Sequence, residues 1–517
     1  MSSRCRRISS LLSMLSILFF STSASAEVTL PNCFSDHMVL QREIKVPVWG
    51  TAAAGEKVTV KFRDQSQTAT ADAKGNWRVE LAPLTAGGPD ELTVAGSNTL
   101  TRKDVLVGEV WVGSGQSNMD GGYAQYLDND PELGKIREAG PYEQVRALKR
   151  NGTWAVLSGT AAFNNTSALL TPFGIKLHQE LKVPVGLMLG AVGGTPSGAW
   201  LSEKALQEDS AAQEKIAAYA KIYDDEAAKY QRALPAYEKA MAAAKAAGKP
   251  ARLPPAPGKP GKLRGDRAVG YLYDAHIRPF LGYGIRGVLW DQGESGTAID
   301  GVDQYTLMGA LIRGWRNEFN VGDFAFIYVQ KPSGGGPAWD NTNPITSKGE
   351  TFTALPKDVP VDGAYVENHV KIMGYPNVGM AISSDLGSGI HPANKSGYGR
   401  RAADVALGMT YGKPVEYYGP VYKDHKVEGD KVRVNFTHVG QGLAFKHGDK
   451  LQGFAVAGED KKFYWADAVI DGDAVVVSSA EVKQPVAVRY AFAGRRLWAN
   501  LFNKDGLPAV TFRTDSW

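Results

Sequence analysis

Five short apolar runs constrain this chain most: residues 105–112, 185–192, 285–290, 324–329 and 378–383. Each has strand length, and each is followed by glycine or polar residues. Helical stretches lie between them. Apolar strand runs alternating with helices predict an α/β unit with a mainly parallel sheet over residues 108–412. In an open sheet of that kind the carboxyl ends of the strands share one edge, and ligands bind in the crevice outside it. Segments far apart in sequence can therefore meet there.

The chemistry-bearing residues sit just past those ends. Ser117 follows the first run, within Gly113-Ser114-Gly115-Gln116-Ser117-Asn118-Met119. A serine held where a central strand turns into a helix is a usual presentation of a nucleophile, with N–H groups and a helix dipole to receive an oxyanion. The Gly-x-Ser-x-Gly elbow is absent, because position 119 is Met. Gly193-Gly194-Thr195-Pro196 follows the second run and Asp291-Gln292-Gly293-Glu294-Ser295 the third. Ser383-Ser384-Asp385 closes the last, with Gly389-Ile390-His391-Pro392 just beyond.

These pieces fit serine acyl transfer. Ser117 would attack a carbonyl carbon, and His391 would take its proton and return it to the leaving alcohol. A carboxylate would orient the imidazole. The Ser117 N–H, a glycine N–H from Gly193 or Gly194 and the Gln292 amide are available to the oxyanion. Singly, each piece reads as a turn, a solvated histidine or a surface carboxylate. Their placement at one sheet edge favours catalysis.

The flanks read differently. Residues 27–107 alternate apolar and polar positions, as in Lys57-Val58-Thr59-Val60-Lys61-Phe62, and predict an antiparallel β-domain. Residues 413–517 return to that pattern and predict a second, β-sandwich-like domain. Residues 203–262 look like an insertion. Ile216, Tyr219, Tyr223, Ala227, Tyr230, Leu234, Tyr237 and Met241 recur at helical spacing, as a stripe packed on the body or on a partner chain. Pro235 is expected to kink this helix or start a second one. Residues 248–262 form a Pro/Gly-rich loop.

Residues 1–26 resemble a secretory signal: Arg4, Arg6 and Arg7, an apolar stretch Leu11 to Phe20, then Ala24-Ser25-Ala26. A periplasmic or secreted location is expected. Removing those three arginines from the formal charge of +4 leaves about +1, which gives no case for nucleic acid or an anionic membrane surface. Cys5 would leave with the signal, and Cys33 would then stand alone. No metal-ligand spacing, phosphate loop or dinucleotide fingerprint occurs, so neither metal nor cofactor is expected.

Taken together, these blocks resemble the sialate O-acetylesterases of the SGNH hydrolase superfamily. Gly108-Glu109-Val110-Trp111-Val112 with Ser114 to Met119 resembles the nucleophile block, and Gly193 to Pro196 with Ala199-Trp200 the second. Trp290 to Ser295 resembles the Trp-Tyr-Gln-Gly-Glu-Ser-Asn block, and Ile390-His391-Pro392 with Asn394-Lys395 the histidine block. Phe34 to Gln41 and Gly506 to Arg513 match the family's two ends. The resemblance implies a three-layer α/β/α domain flanked by β-domains, no cofactor, and release of acetate from an O-acetylated sugar. Ser117 would be nucleophile, His391 base, and Ser117, Gly193 or Gly194 and Gln292 the oxyanion donors. Many SGNH enzymes carry Asp three residues before the histidine, where this chain has Ser388; Glu294 is the first candidate acid and Asp385 the second. Asn118, Trp200 and Lys395 are candidate substrate contacts. Asp291 stands where Tyr is common, and Gly296 where Asn is usual. Acetylated xylan is the near alternative substrate, and a non-catalytic glycan-binding protein is the alternative of another class.

Overall fold

The computed structural model describes residues 27–148, 152–265 and 267–517. The expected signal segment lies outside them. The chain has a mixed α/β architecture around one large sheet of eleven strands. In chain order these are β1 (Val39–Gln41), β2 (Lys57–Phe62), β3 (Gln65–Thr70), β4 (Gly87–Ala95), β5 (Thr99–Gly115), β6 (Tyr142–Leu148), β7 (Trp154–Leu157), β8 (Val185–Ala191), β9 (Gly287–Asp291), β10 (Ala325–Val329) and β11 (Val378–Ala381).

The main path runs β11-β10-β9-β5-β8-β6-β7. All its pairs are parallel except β6–β7. The five apolar runs are β5, β8, β9, β10 and β11, all with predominantly buried side chains, as strands covered on both faces should be. β1 joins β5 in parallel, and β4 joins it antiparallel.

β5 carries the two halves of this sheet. Its first six residues alternate exposed and half-buried beside β4, and from Val105 to Gly115 every residue is buried. The sequence change at residues 107 and 108 therefore falls inside one continuous strand.

Six helices matter here: α1 (Ser117–Asp120), α2 (Leu170–Leu181), α3 (Ser210–Ala220), α4 (Tyr223–Ala246), α5 (Gln304–Phe319) and α6 (Lys395–Met409). α5 opens on Asp303, whose side chain accepts from the Thr306 N–H, and α6 opens on Asn394, whose side chain accepts from the Gly397 N–H. In the insertion, α4 continues through Pro235 and no second helix starts there; the break between helices falls earlier, at Lys221 and Ile222. No α4 residue is buried. The Tyr230 hydroxyl donates to the Pro254 carbonyl, so part of the tyrosine stripe holds the returning Pro/Gly segment.

Residues 421–513 form two four-stranded antiparallel sheets and a two-stranded pair. They enclose a second core that includes Val434, Phe454, Val477 and Tyr490. Among the described residues, no helix is long and apolar enough to cross a membrane.

Candidate active site

The register brings three strand ends level. Gly115 of β5 pairs with Ala191 of β8 on one side and with Asp291 of β9 on the other. Gly115 has φ +123°, and a Cβ there would run into the Asp291 carbonyl, so the central strand can bend toward Ser117 only at glycine. Ser117 begins α1, which is a single turn.

Ser117 and His391 lie at the lip of a cleft of about 620 Å³ that is also lined by Asp120, Tyr126, Asn164 and Thr166. Ser117 Oγ is 2.9 Å from His391 Nε2, across 274 residues of sequence. The imidazole is exposed and the serine half-buried. Gly193 is close behind: a Cβ on it would sit 3.4 Å from Ser117 Cβ. Gly194 turns the chain there with φ +72°.

Glu294 is held by the two residues that flank Ser117. Its Oε1 accepts from Asn118 Nδ2 at 2.9 Å, and its Oε2 accepts from Gln116 Nε2. Asn118 Nδ2 also donates to the Ile390 carbonyl at 3.1 Å, one residue before His391. Glu294 thus reaches the histidine loop through Asn118. Asp385 does not reach it. It is fully buried, and both its oxygens accept from Arg401, at 3.2 and 2.9 Å. That pairing removes Asp385 from the candidate acids.

A residue that the motif reading passed over completes the cluster. Lys331, fully buried, places Nζ 2.6 Å from Asp291 Oδ1 and 2.6 Å from Glu294 Oε1. Burial pulls its pKa down, but the two carboxylates outweigh burial and hold it above the usual lysine range. Burial raises Asp291 above the carboxylate range, with Lys331 opposing. For Glu294 burial also pulls upward, yet Lys331 wins and the group is held below its ordinary value. Gly293 is needed between them, because a Cβ would come 2.8 Å from Lys331 Cγ and 2.7 Å from His369 Cε1. His369 is pushed down to about 3, by burial first and by Lys331 second.

Four other expected roles are corrected. Gln292 is 1 % exposed, and its Nε2 donates to the Thr195 and Gly296 carbonyls at 3.3 and 3.1 Å. It pins the Gly193-Gly194 turn instead of facing a substrate oxyanion. Trp200 is buried, with its Nε1 donating to Thr195 Oγ1 at 3.0 Å, so it offers no sugar platform. Asn118 is buried and engaged as described. Lys395 is buried too. Its Nζ donates to Asn118 Oδ1 at 2.7 Å and to the Pro392 carbonyl at 2.8 Å, and stands 4.5 Å from the Tyr126 ring centre. Burial brings it down to about 7.

Comparison with known proteins adds a class to this geometry. No family model matches the chain. A crystal structure described as a carbohydrate acetylesterase from Xanthomonas citri superposes with a TM-score of 0.71 at 29% identity, covering 95% of this chain and all of the other. The protein is therefore a carbohydrate esterase by fold and relationship. The sialate O-acetylesterase of Pongo abelii is 27% identical over 87% of this chain and 84% of its own length; that of Homo sapiens is 27% identical over 84% and 81%. Over more than four-fifths of its length the chain is thus similar to sialate O-acetylesterases.

Proposed function

We propose that this protein is an exported carbohydrate O-acetylesterase that works through an acyl-enzyme on Ser117. The observation that carries the proposal is the 2.9 Å approach of Ser117 Oγ to His391 Nε2 at the cleft lip. This is the nucleophile–base pair that acyl transfer requires.

The Ser117 hydroxyl proton passes to Nε2 as Oγ bonds to the acetyl carbon. The oxyanion is received by backbone N–H groups of Ser117 and of Gly193 or Gly194. The C–O bond to the sugar breaks, and the imidazolium gives its proton to the sugar oxygen. Water then attacks the acetyl-serine with His391 again as base, and acetate leaves. Glu294 acts as a positioning group: it holds Asn118, which holds the loop that carries His391.

The relatives' names make acetylated sialic acid the first substrate to test. Lys395 is buried and offers no contact to a sialate carboxylate, so acetylated xylan is the second substrate to test. The test is acetate release from both by the purified protein, with Ser117→Ala as control. Ser117→Ala should lose at least about three orders of magnitude in rate. Retention of a tenth of the activity would sink the proposal.

A further inference from the structure

We propose that Lys395 is a positioning residue that clamps the His391 loop onto the serine helix. The inference rests on the reading of Ser117 and His391 as nucleophile and base. It assigns to Lys395 a role other than substrate contact.

The geometry is a closed bracket around one residue. His391 is flanked by two peptide carbonyls, and each is held from beneath. Asn118 Nδ2 donates to the Ile390 carbonyl at 3.1 Å, and Lys395 Nζ donates to the Pro392 carbonyl at 2.8 Å. The two clamping side chains are joined to each other, Lys395 Nζ to Asn118 Oδ1 at 2.7 Å. Asn118 belongs to α1, next to Ser117, and Lys395 is the first residue of α6. The bracket therefore ties three separate pieces of chain: the serine turn, the histidine loop and the start of α6.

The loop needs such a tie. Ser388, Gly389, Ile390 and His391 are all exposed, with Ile390 at 70 %. Glycine at 387 and 389 takes positive φ, at 92° and 113°. A loop of this kind keeps little of its geometry through packing, and hydrogen bonds at its carbonyls must supply the rest. Lys395 is itself fixed. The Tyr126 ring faces its amine at 4.5 Å, and only 1 % of the residue is exposed. Burying the Lys395 amine is costly, and Asp291, Glu294 and Asp130 only partly offset that cost. Its three directed partners all converge on the Ser117–His391 pair or on the cleft wall.

A clamp of this kind acts on the rate of the chemical step. Misplacing a general base by an ångström costs on the order of 10²-fold. The experiment compares the parent with Lys395→Met, which keeps chain length but donates nothing, and Lys395→Gln, whose amide can still donate. Kinetics with p-nitrophenyl acetate give kcat and KM, and the rate of Ser117 modification by a fluorophosphonate reads the activation of the serine directly. Folding is checked by circular dichroism and thermal melting.

The expected result is a fall in kcat of about 10²-fold for Lys395→Met with KM changed less than threefold, a parallel fall in fluorophosphonate labelling, and partial recovery in Lys395→Gln. A folded Lys395→Met with kcat and labelling within threefold of the parent would overturn the clamp and leave the esterase reading standing. A parent without Ser117-dependent turnover or labelling would overturn both. If Lys395→Met does not fold, Asn118→Ser serves instead: loss of labelling in that folded variant supports the bracket, and unchanged labelling refutes it.

Discussion

Replacing Lys331 by methionine should destabilise the protein in a way that depends on pH. Lys331 is wholly buried and serves two carboxylates at 2.6 Å each. Methionine fills much of the same space but leaves Asp291 and Glu294 facing each other with no cation. Removing one partner of a buried ion pair costs about 3–5 kcal/mol, because the remaining charge has been taken out of water and is left uncompensated. In the parent, Lys331 holds Glu294 below its unfolded value, so the stability Glu294 contributes is present above the carboxylate range and is lost only as pH falls through that depressed value. Without Lys331 the main opposition to burial is lost, Gln116 and Asn118 alone still favouring the Glu294 carboxylate, and both carboxylates titrate higher than in the parent, Asp291 from a value already raised. The variant then gains stability as pH falls, by up to about 1.4 kcal/mol per pH unit for each group that takes up a proton. The raised pKa of Lys331 in the parent adds no slope here, since the group stays protonated in both states well above pH 8. The assay is urea unfolding of parent and variant at pH 8 and pH 5.5, followed by the fluorescence of the buried tryptophans. The deficit should be largest at pH 8 and should shrink by roughly 1–3 kcal/mol at pH 5.5. Equal stability at pH 8, or a deficit that fails to shrink in acid, refutes the reasoning.

Three further outcomes are expected. Asp385→Asn should cost about 3 kcal/mol by breaking the buried pair with Arg401, while the folded fraction keeps its specific activity; Glu294→Gln should lower kcat by about 10- to 100-fold, and acetate release normalised to folded protein separates the two. The Lys395 amine, with a folded value of about 7, carries its full burial cost below pH 7. The unfolded chain holds the extra proton between pH 7 and about 10, so parent stability should rise relative to Lys395→Met from pH 7 to pH 9, by up to about 1.4 kcal/mol per pH unit; denaturation of both proteins at the two pH values checks this, and a flat difference contradicts it.

The sequence made the sheet legible because a strand buried on both faces must be continuously apolar. The five apolar runs became five consecutive parallel strands of the main sheet, and the common edge brought Ser117, Gly193, Glu294 and His391 into one neighbourhood. What sequence did not show was the direction in which each side chain points. Gln292 and Glu294 are two residues apart at the end of β9, yet one pins the glycine turn and the other is held by the two residues that flank Ser117. Lys395 read as a candidate substrate contact because lysines are seldom buried, and only the converging acceptors Asn118 and Pro392 reveal why this one is. Lys331 carried a signal that the motif reading left unused: a lysine two residues beyond an apolar strand run ends at the same edge as the other functional groups. The shift from alternating to continuous apolar pattern near residue 107 looked like a change of domain. It is one strand leaving the rim of the sheet for its centre.

That strand has a consequence for how the protein can be divided. β5 supplies the edge on which the amino-terminal strands assemble, and its far end delivers Ser117. Severing the chain at residue 107 would give two fragments, each with half a strand and a row of bare backbone donors and acceptors that invites association with other chains. The amino-terminal β-unit is thus no detachable appendage. It forms the root of the strand whose tip holds the nucleophile, and exchanges between relatives must carry both together or place the junction elsewhere.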